Sequence, residues 1–324
     1  MKTPVFWNSD NLLSDLLCPL GWIYALASRL RLRFKKSRKV VCPVICIGNL
    51  TAGGTGKTPV SVSIAAMLQQ AGKKPFFVTR GYGGKSRNIF ADPTRYDVRQ
   101  TGDEPLLLAR QAQTVINPDR AQGAELAVQN GADIIIMDDG FQNPGLYKDL
   151  SFLVFDGASG IGNGKYIPAG PLRENFAAGL KRAQAAIILG EDKHNLTKRL
   201  KKLPVFYGKV KALPPKLPPQ NIIAFAGIGR PQKFYNSLKE LGFTLIKTFD
   251  FGDHHFYTED ELQNLLHEAH YFNAELFTTA KDFVKIPTIL QPHFNVLEIS
   301  VEWKNPQELT DFILKRLPSI KSPN

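Results

Sequence analysis

The sequence predicts an α/β protein: a parallel sheet covered by helices, then a second, smaller α/β domain, with an apolar helix ahead of both. Three observations carry this. An apolar, β-rich run at 40–47 (VVCPVICI) leads through a glycine-rich loop into helical periodicity at 59–70. Strand-like and helix-like segments then alternate as far as residue 189, which implies strands buried on both faces. Pro204, Pro214, Pro215, Pro218 and Pro219 then interrupt the pattern before a second alternation begins.

The first alternation reads as strands at 40–47, 74–79, 114–116, 133–137, 150–155 and 185–189, with helices at 59–70, 103–112 and 120–130. Val60, Ile64, Met67 and Leu68 give the first helix its apolar stripe. Acidic residues open the second helix and Gly131 ends the third. The second alternation has strands at 221–226, 243–248, 276–279 and 294–301, and helices at 231–241, 258–269 and 306–317. Thr258 and Glu261 have capping-box spacing. The expected divisions are 1–39, an apolar helix and basic segment; 40–212, a nucleotide-binding domain; 213–220, a proline-rich linker; and 221–324, a C-terminal α/β domain.

With 324 residues, 43% hydrophobic and 22% charged, the chain is long enough for two folded domains and too apolar for bulk disorder. The net charge of +12 favours a polyanionic partner such as nucleic acid, an anionic membrane surface or a phosphorylated substrate. Cys18, Cys42 and Cys46 are an odd count without CxxC spacing, so neither a disulfide scaffold nor a zinc site is indicated, and a reducing cytosolic setting fits. Residues 12–30 are apolar but include Asp15, Pro19, Gly21 and Arg29, a poor match to the roughly 20 apolar residues of a membrane span. Seven cations lie between Arg29 and Lys39. That pattern is either an interfacial anchor on anionic lipid or a helix packed on the domain with a solvated basic tail.

The chemistry begins at Gly53-Gly54-Thr55-Gly56-Lys57-Thr58. Glycines let successive backbone N–H groups turn toward phosphate oxygens, and the helix that follows adds its positive end. Lys57 is expected at the β- and γ-phosphates of a nucleoside triphosphate, with the Thr58 hydroxyl on Mg²⁺. The first consensus glycine of this P-loop falls on Thr51. Asp138-Asp139, ending the buried run 134–137, supplies carboxylates for Mg²⁺, one nearer the metal and one nearer water or a second group.

In the setting GNLTAGGTGKTP (48–59) the loop resembles that of the tetraacyldisaccharide 4'-kinase family of lipid A biosynthesis. TRGYGG (79–84), GDEP (102–105), DDGFQ (138–142), AGPLRE (169–174), AFAGIG (224–229), DHH (253–255) and TTAKD (278–282) resemble the family in the same order across nearly the whole chain. The resemblance implies a kinase that moves the γ-phosphate of ATP to the 4'-hydroxyl of an acylated disaccharide at the cytoplasmic face of the bacterial inner membrane. It selects the anchor reading of residues 12–39. A lipid disaccharide and an anionic membrane surface become the expected partners, and nucleic acid does not.

The resemblance also assigns roles. Asp103 is the expected base and His254 its support, with His255 the less favoured partner. Arg80 and Arg173 are expected on phosphate, Gln142 on substrate or water, and Asn49 and Thr51 beside the loop. Glu174 is expected near Mg²⁺ or holding Arg173, and Lys281 and Asp282 near the nucleotide base. The chain departs from the family pattern at Asn143-Pro144-Gly145 after DDGFQ and at Arg230 after AGIG. The alternative is a partition-type ATPase switch, whose loops carry a lysine where this chain has Ala52.

Overall fold

The computed structural model describes residues 4–200 and 202–318, so the outermost residues of the first and last expected divisions lie outside it. Among the described residues thirteen strands fall in two sheets: β1 Val44–Gly48, β2 Pro75–Thr79, β3 Ile89–Phe90, β4 Thr114–Ile116, β5 Ile134–Asp138, β6 Leu150–Asp156, β7 Ala185–Leu189, β8 Val205–Ala212, β9 Asn221–Ala226, β10 Thr244–Asp250, β11 Glu275–Thr279, β12 Asn295–Leu297 and β13 Ile299–Trp303. The larger sheet runs β13-β8-β7-β6-β1-β5-β2-β4-β3 and the smaller β10-β9-β11-β12.

The larger sheet is mixed. Its interior is parallel, but β3 pairs antiparallel with β4 and β13 antiparallel with β8. The interior strands β1, β2, β5 and β7 are buried along their whole length, which is why they read as continuous apolar runs rather than alternating ones. On one face the helix Lys57–Gln70 buries Val60, Ile64 and Leu68, joined by Leu309 and Ile313 of the C-terminal helix Pro306–Arg316. Each such side chain contributes about 1.5–3 kcal/mol. On the other face Ala121, Ala124 and Ala127 of the helix Arg120–Gln129 pack against Phe76, Ile135 and Met137.

The end of the chain departs from the expected C-terminal domain. The apolar run 294–301 is two strands in different sheets, with Glu298 between them. β13 returns to cover the edge of β8, a strand the sequence reading left inside the first domain without assigning it. Trp303 Nε1 donates to Ser63 Oγ at 2.8 Å, tying the returning strand to the phosphate-loop helix. The physical reason is the edge itself: without β13, β8 would leave a row of backbone groups unpaired. Two chain passages therefore join the domains side by side, and Leu213 N donates to Glu298 O between them.

The N-terminal helix Leu12–Phe34 starts in a capping box of Asn11 and Ser14 and buries only Ser14 and Gly21. Lys165 Nζ holds it, reaching Ser14 Oγ at 2.9 Å and Asp15 Oδ1 at 2.6 Å. Gly21 lies so close to Tyr166 that a Cβ would sit 3.0 Å from its carbonyl oxygen. Among the described residues no helix is long and apolar enough to cross a membrane.

Candidate active site

Parallel strands bring their carboxyl ends to one edge, and the loops there form the site. β1 ends in the phosphate loop. Gly56 precedes the helix with φ +85°, and a Cβ there would lie 2.4 Å from Leu189 Cδ1, so backbone sterics and packing both require glycine. No side chain caps the helix Lys57–Gln70. Its first N–H groups, together with the positive helix end, are available to an anion.

The loop is braced from behind. Asn49 is buried and its Nδ2 donates to Thr51 O at 2.6 Å and Thr55 Oγ1 at 3.1 Å. Gln142 Nε2 donates to Asn49 O at 2.8 Å and to Glu174 Oε1 at 3.0 Å. Glu174 is ion-paired with Arg182. Asn49, Gln142 and Glu174 thus form a scaffold for the loop. Glu174 pairs with Arg182, while Arg173 pairs with Asp139. Arg182 was not legible, as its partner is eight residues away in a loop.

At the mouth, the acidic pair divides as two neighbouring carboxylates must. Asp138 is buried and accepts from Thr58 Oγ1 and from Ser61 Oγ, both at 2.8 Å. Burial raises its pKa and Asp139 adds to this, while Thr58, Lys57 and Ser61 pull the other way. Asp139 has φ +49° and points the other way. Arg173 Nη1 reaches it at 3.0 and 3.2 Å, and Lys57 Nζ lies 3.7 Å away. Burial works to raise its pKa, but Lys57 and Arg173 outweigh it and hold the carboxyl below the usual range. Lys57 and Arg173 therefore converge on Asp139, while Thr58 and Ser61 meet Asp138 on its other side. A hydroxyl and a carboxylate are hard oxygen donors suited to Mg²⁺. Among the described residues no group of three or more His, Cys, Asp or Glu side chains gathers to hold a metal. Phosphate oxygens and water would have to complete the shell.

The remaining groups come from both domains, Asp103 from the first and His254 and Lys281 from the second. Asp103 begins the helix Asp103–Ala109 and is only 6% exposed. It is placed by Gly102, whose φ is +85° and whose Cβ would lie 2.2 Å from Tyr82 O. His254 Nδ1 lies 2.9 Å from Asp103 Oδ2, and Glu104 N donates to Asp103 Oδ1 at 2.9 Å. Lys281 Nζ lies 3.2 Å from His254 Nε2 and 3.7 Å from Asp103 Oδ2. With Lys281 donating to Nε2, the ring proton belongs on Nδ1, toward Asp103. Burial works to raise the Asp103 carboxyl, but the His254 hydrogen bond and the Lys281 charge hold it below the usual carboxylate range. His254 has φ +62°; it and Asp139 are the only described residues other than glycine and asparagine with positive φ. Such strain is characteristic of sites where geometry outranks local comfort.

Other expected contacts are structural. His255 Nε2 lies 2.9 Å from Glu261 Oε2, in that helix's capping network, which resolves the choice between the two histidines in favour of His254 as the partner of Asp103. Asp282 is fully buried. It accepts from Gly227 N at 3.0 Å and pairs with Lys285 at 2.7 Å, so it supports the β9 loop from beneath. Arg80 is exposed at the end of β2.

An uncapped phosphate-loop helix, the cations and hydroxyl–carboxylate pair beside it and an Asp–His pair that joins the second domain together define a two-domain P-loop phosphotransferase. A sequence profile of the family described as Tetraacyldisaccharide-1-P 4'-kinase matches residues 13–318. The chain is 45% identical over 315 residues to a tetraacyldisaccharide 4'-kinase of Paramagnetospirillum magneticum, covering 96% of this chain and 97% of that one. It is 48% identical over 297 residues to that of Parvibaculum lavamentivorans, covering 88% and 87%. A crystal structure of LpxK from Aquifex aeolicus in complex with ATP superposes with a TM-score of 0.78 at 25% identity, over 95% of this chain and all of that one. The chain belongs to the tetraacyldisaccharide 4'-kinase family, and its function is that of a kinase in lipid A biosynthesis. The partition-type switch is set aside.

Glu104 was quoted in a motif but given no role. It is partly buried beside this cluster, and burial, followed by the charges of Asp138 and Asp103, pushes its carboxyl up to about 7. In the unfolded chain it ionises at its lower, ordinary value. Stability is therefore lost as pH rises from that value through about 7. Glu104→Gln should stabilise the metal-free, nucleotide-free protein at pH 8 more than at pH 5. Thermal unfolding in chelator at the two pH values measures this, and an equal shift at both would contradict it.

Proposed function

We propose that this chain transfers the γ-phosphoryl group of ATP to the 4'-hydroxyl of a tetraacyldisaccharide 1-phosphate, with Mg²⁺, on an anionic membrane surface. The observation that carries the catalytic part is the hydrogen bond between His254 and Asp103, made across the two domains beside the phosphate loop.

Lys57 and the open N-terminus of its helix hold the β- and γ-phosphates, and Arg173 adds a guanidinium at the transferred group. Thr58 and Asp138 hold Mg²⁺, which neutralises charge on the phosphate oxygens when bound. His254 Nε2 accepts the proton of the attacking hydroxyl. Asp103 fixes the ring's tautomer and stabilises the imidazolium that results, the division of labour known for paired carboxylate and histidine. Burial and full engagement of Asp103 favour this over Asp103 acting as the base itself. The half-exposed ring of His254 is the group able to meet a sugar hydroxyl, while Lys281 moves from Nε2 toward Asp253, already 3.5 Å away.

The N-terminal helix supports the membrane part. Leu12, Leu16, Leu20, Trp22, Ile23 and Leu26 are all more than half exposed, an apolar surface larger than water tolerates without purpose. Lys35, Lys36, Arg38 and Lys39 follow it directly, as expected of a segment resting on anionic headgroups.

In a radiolabelled γ-phosphate transfer assay with the lipid disaccharide in detergent, His254→Ala should lower kcat by about 10²–10⁴-fold and leave KM for ATP near the wild-type value. Wild-type turnover in that variant would contradict the base assignment. Trp22→Ser combined with Leu26→Ser should reduce co-sedimentation with vesicles containing anionic lipid and leave ATP binding intact. Undiminished sedimentation would contradict the anchor.

A further inference from the structure

The helix Pro231–Glu240 packs Phe234, Tyr235 and Leu238 on the smaller sheet, but the charge of its first turn is inverted. No side chain caps it and no acidic residue stands in that turn; Arg230, one of the departures from the family pattern, and Lys233 stand there instead. Two cations beside the positive end of a helix are unfavourable unless an anion meets them. The anion is Asp156, from the other domain. Arg230 Nη1 lies 3.5 Å and Lys233 Nζ 3.7 Å from its Oδ2. Asp156 ends β6, and its side chain is only 13% exposed. Its own loop holds it: Ala158 N donates to Oδ1 at 2.9 Å and Ser159 Oγ to Oδ2 at 3.2 Å. A carboxylate so fixed has little freedom left to lose when cations reach it.

In the order β6-β1-β5-β2-β4 the phosphate loop after β1 has Asp156 on one side and Asp103, in the helix before β4, on the other. The second domain therefore rests on the first at two points that straddle the loop. One contact leaves a domain free to tilt about it, and a second removes the tilt. The loop after β9 serves both contacts: Gly227 O accepts from His254 N at 3.2 Å, and Arg230 lies three residues further along the same loop. We propose that Arg230 and Lys233, through Asp156, are positioning residues. They seat the second domain beside the phosphate loop and so hold His254 where the transferred phosphate can be met. A misplacement of about 1 Å costs on the order of 10²-fold in rate, so a contact away from the chemistry carries weight. Exposed ion pairs contribute little each, which suits a seat that must release as substrates enter and products leave. The inference rests on the phosphotransfer reading for its effect on turnover, but not for its effect on domain placement.

Two spin labels report the placement of the domains in the full chain: Gln122→Cys and Gln263→Cys, at exposed helix positions of the first and second domain, in a Cys18→Ser background. A non-hydrolysable ATP analogue and Mg²⁺ are present throughout the distance measurement. Arg230→Glu with Lys233→Glu sets two anions against Asp156. The distances should then lengthen and broaden, and turnover of the lipid disaccharide should fall about 5–30-fold at low salt. Adding Asp156→Asn removes the repulsion while keeping the acceptor for Ala158 N. It should return distances and turnover to those of Arg230→Gln with Lys233→Gln, a neutral pair that itself loses about 2–5-fold. Both losses should shrink in about 0.5 M salt. A cation pair that only stabilises its own helix, or that meets the nucleotide directly, gives a loss that Asp156→Asn does not relieve. Such an unrelieved loss, or unchanged distances in the Glu pair, overturns the assignment. If the wild-type protein transfers no phosphate to the lipid, it is the phosphotransfer reading that fails, and the distances alone decide the seat.

Discussion

The hydrogen bond between Asp103 and His254 is the constraint around which the rest of the site is organised. It joins residues 151 apart in sequence, one opening a helix beside the larger sheet and one in the loop after β10 of the smaller. A buried carboxylate without that partner would be destabilising. His254 accepts a left-handed backbone to make the bond, and Lys281 supplies the balancing charge. The two chain passages between the domains, from β8 into the linker and from β12 into β13, run side by side, with Leu213 N donating to Glu298 O between them. The return of β13 against β8 is therefore more than an edge repair. It doubles the connection that holds the pair in register, and Trp303 fastens it to the helix that carries Lys57 and Thr58.

A second level of organisation is the division of charge along the sheet's carboxyl edge. At the donor end Lys57, Arg173, Thr58 and Ser61 gather around the acidic pair Asp138-Asp139, whose members face apart so that one meets hydroxyls and the other meets cations.

Much of this was legible in the sequence. The glycine loop between an apolar run and a helical stripe identified β1 and its helix, and the continuous runs at 133–137 and 185–189 identified buried parallel strands, because burial on both faces removes alternation. What failed to read has physical reasons. β8 follows Pro204, carries Gly208 at its middle and is mostly half-buried without alternation, so neither period nor composition marks it. The run 294–301 looks like one strand, since nothing local shows that Glu298 turns the chain from one sheet to another. Asn49, Gln142 and Glu174 were expected on substrate or metal because they neighbour motif residues, and their side chains turn inward to brace the loop. No spacing rule reveals that Asp103 and His254 meet; only the ordered resemblance across the chain pointed to that pair.

The central claim is that Asp103 and His254 act as one unit across the domain boundary. A double-mutant cycle on kcat with Asp103→Asn, His254→Ala and the double variant tests it most directly, each variant being checked for unchanged ATP binding. The account predicts strong non-additivity, the double variant turning over about as slowly as the slower single one, because Asp103 works only through the histidine it orients. Losses that multiply independently, or an Asp103→Asn enzyme that turns over at the wild-type rate, would contradict it.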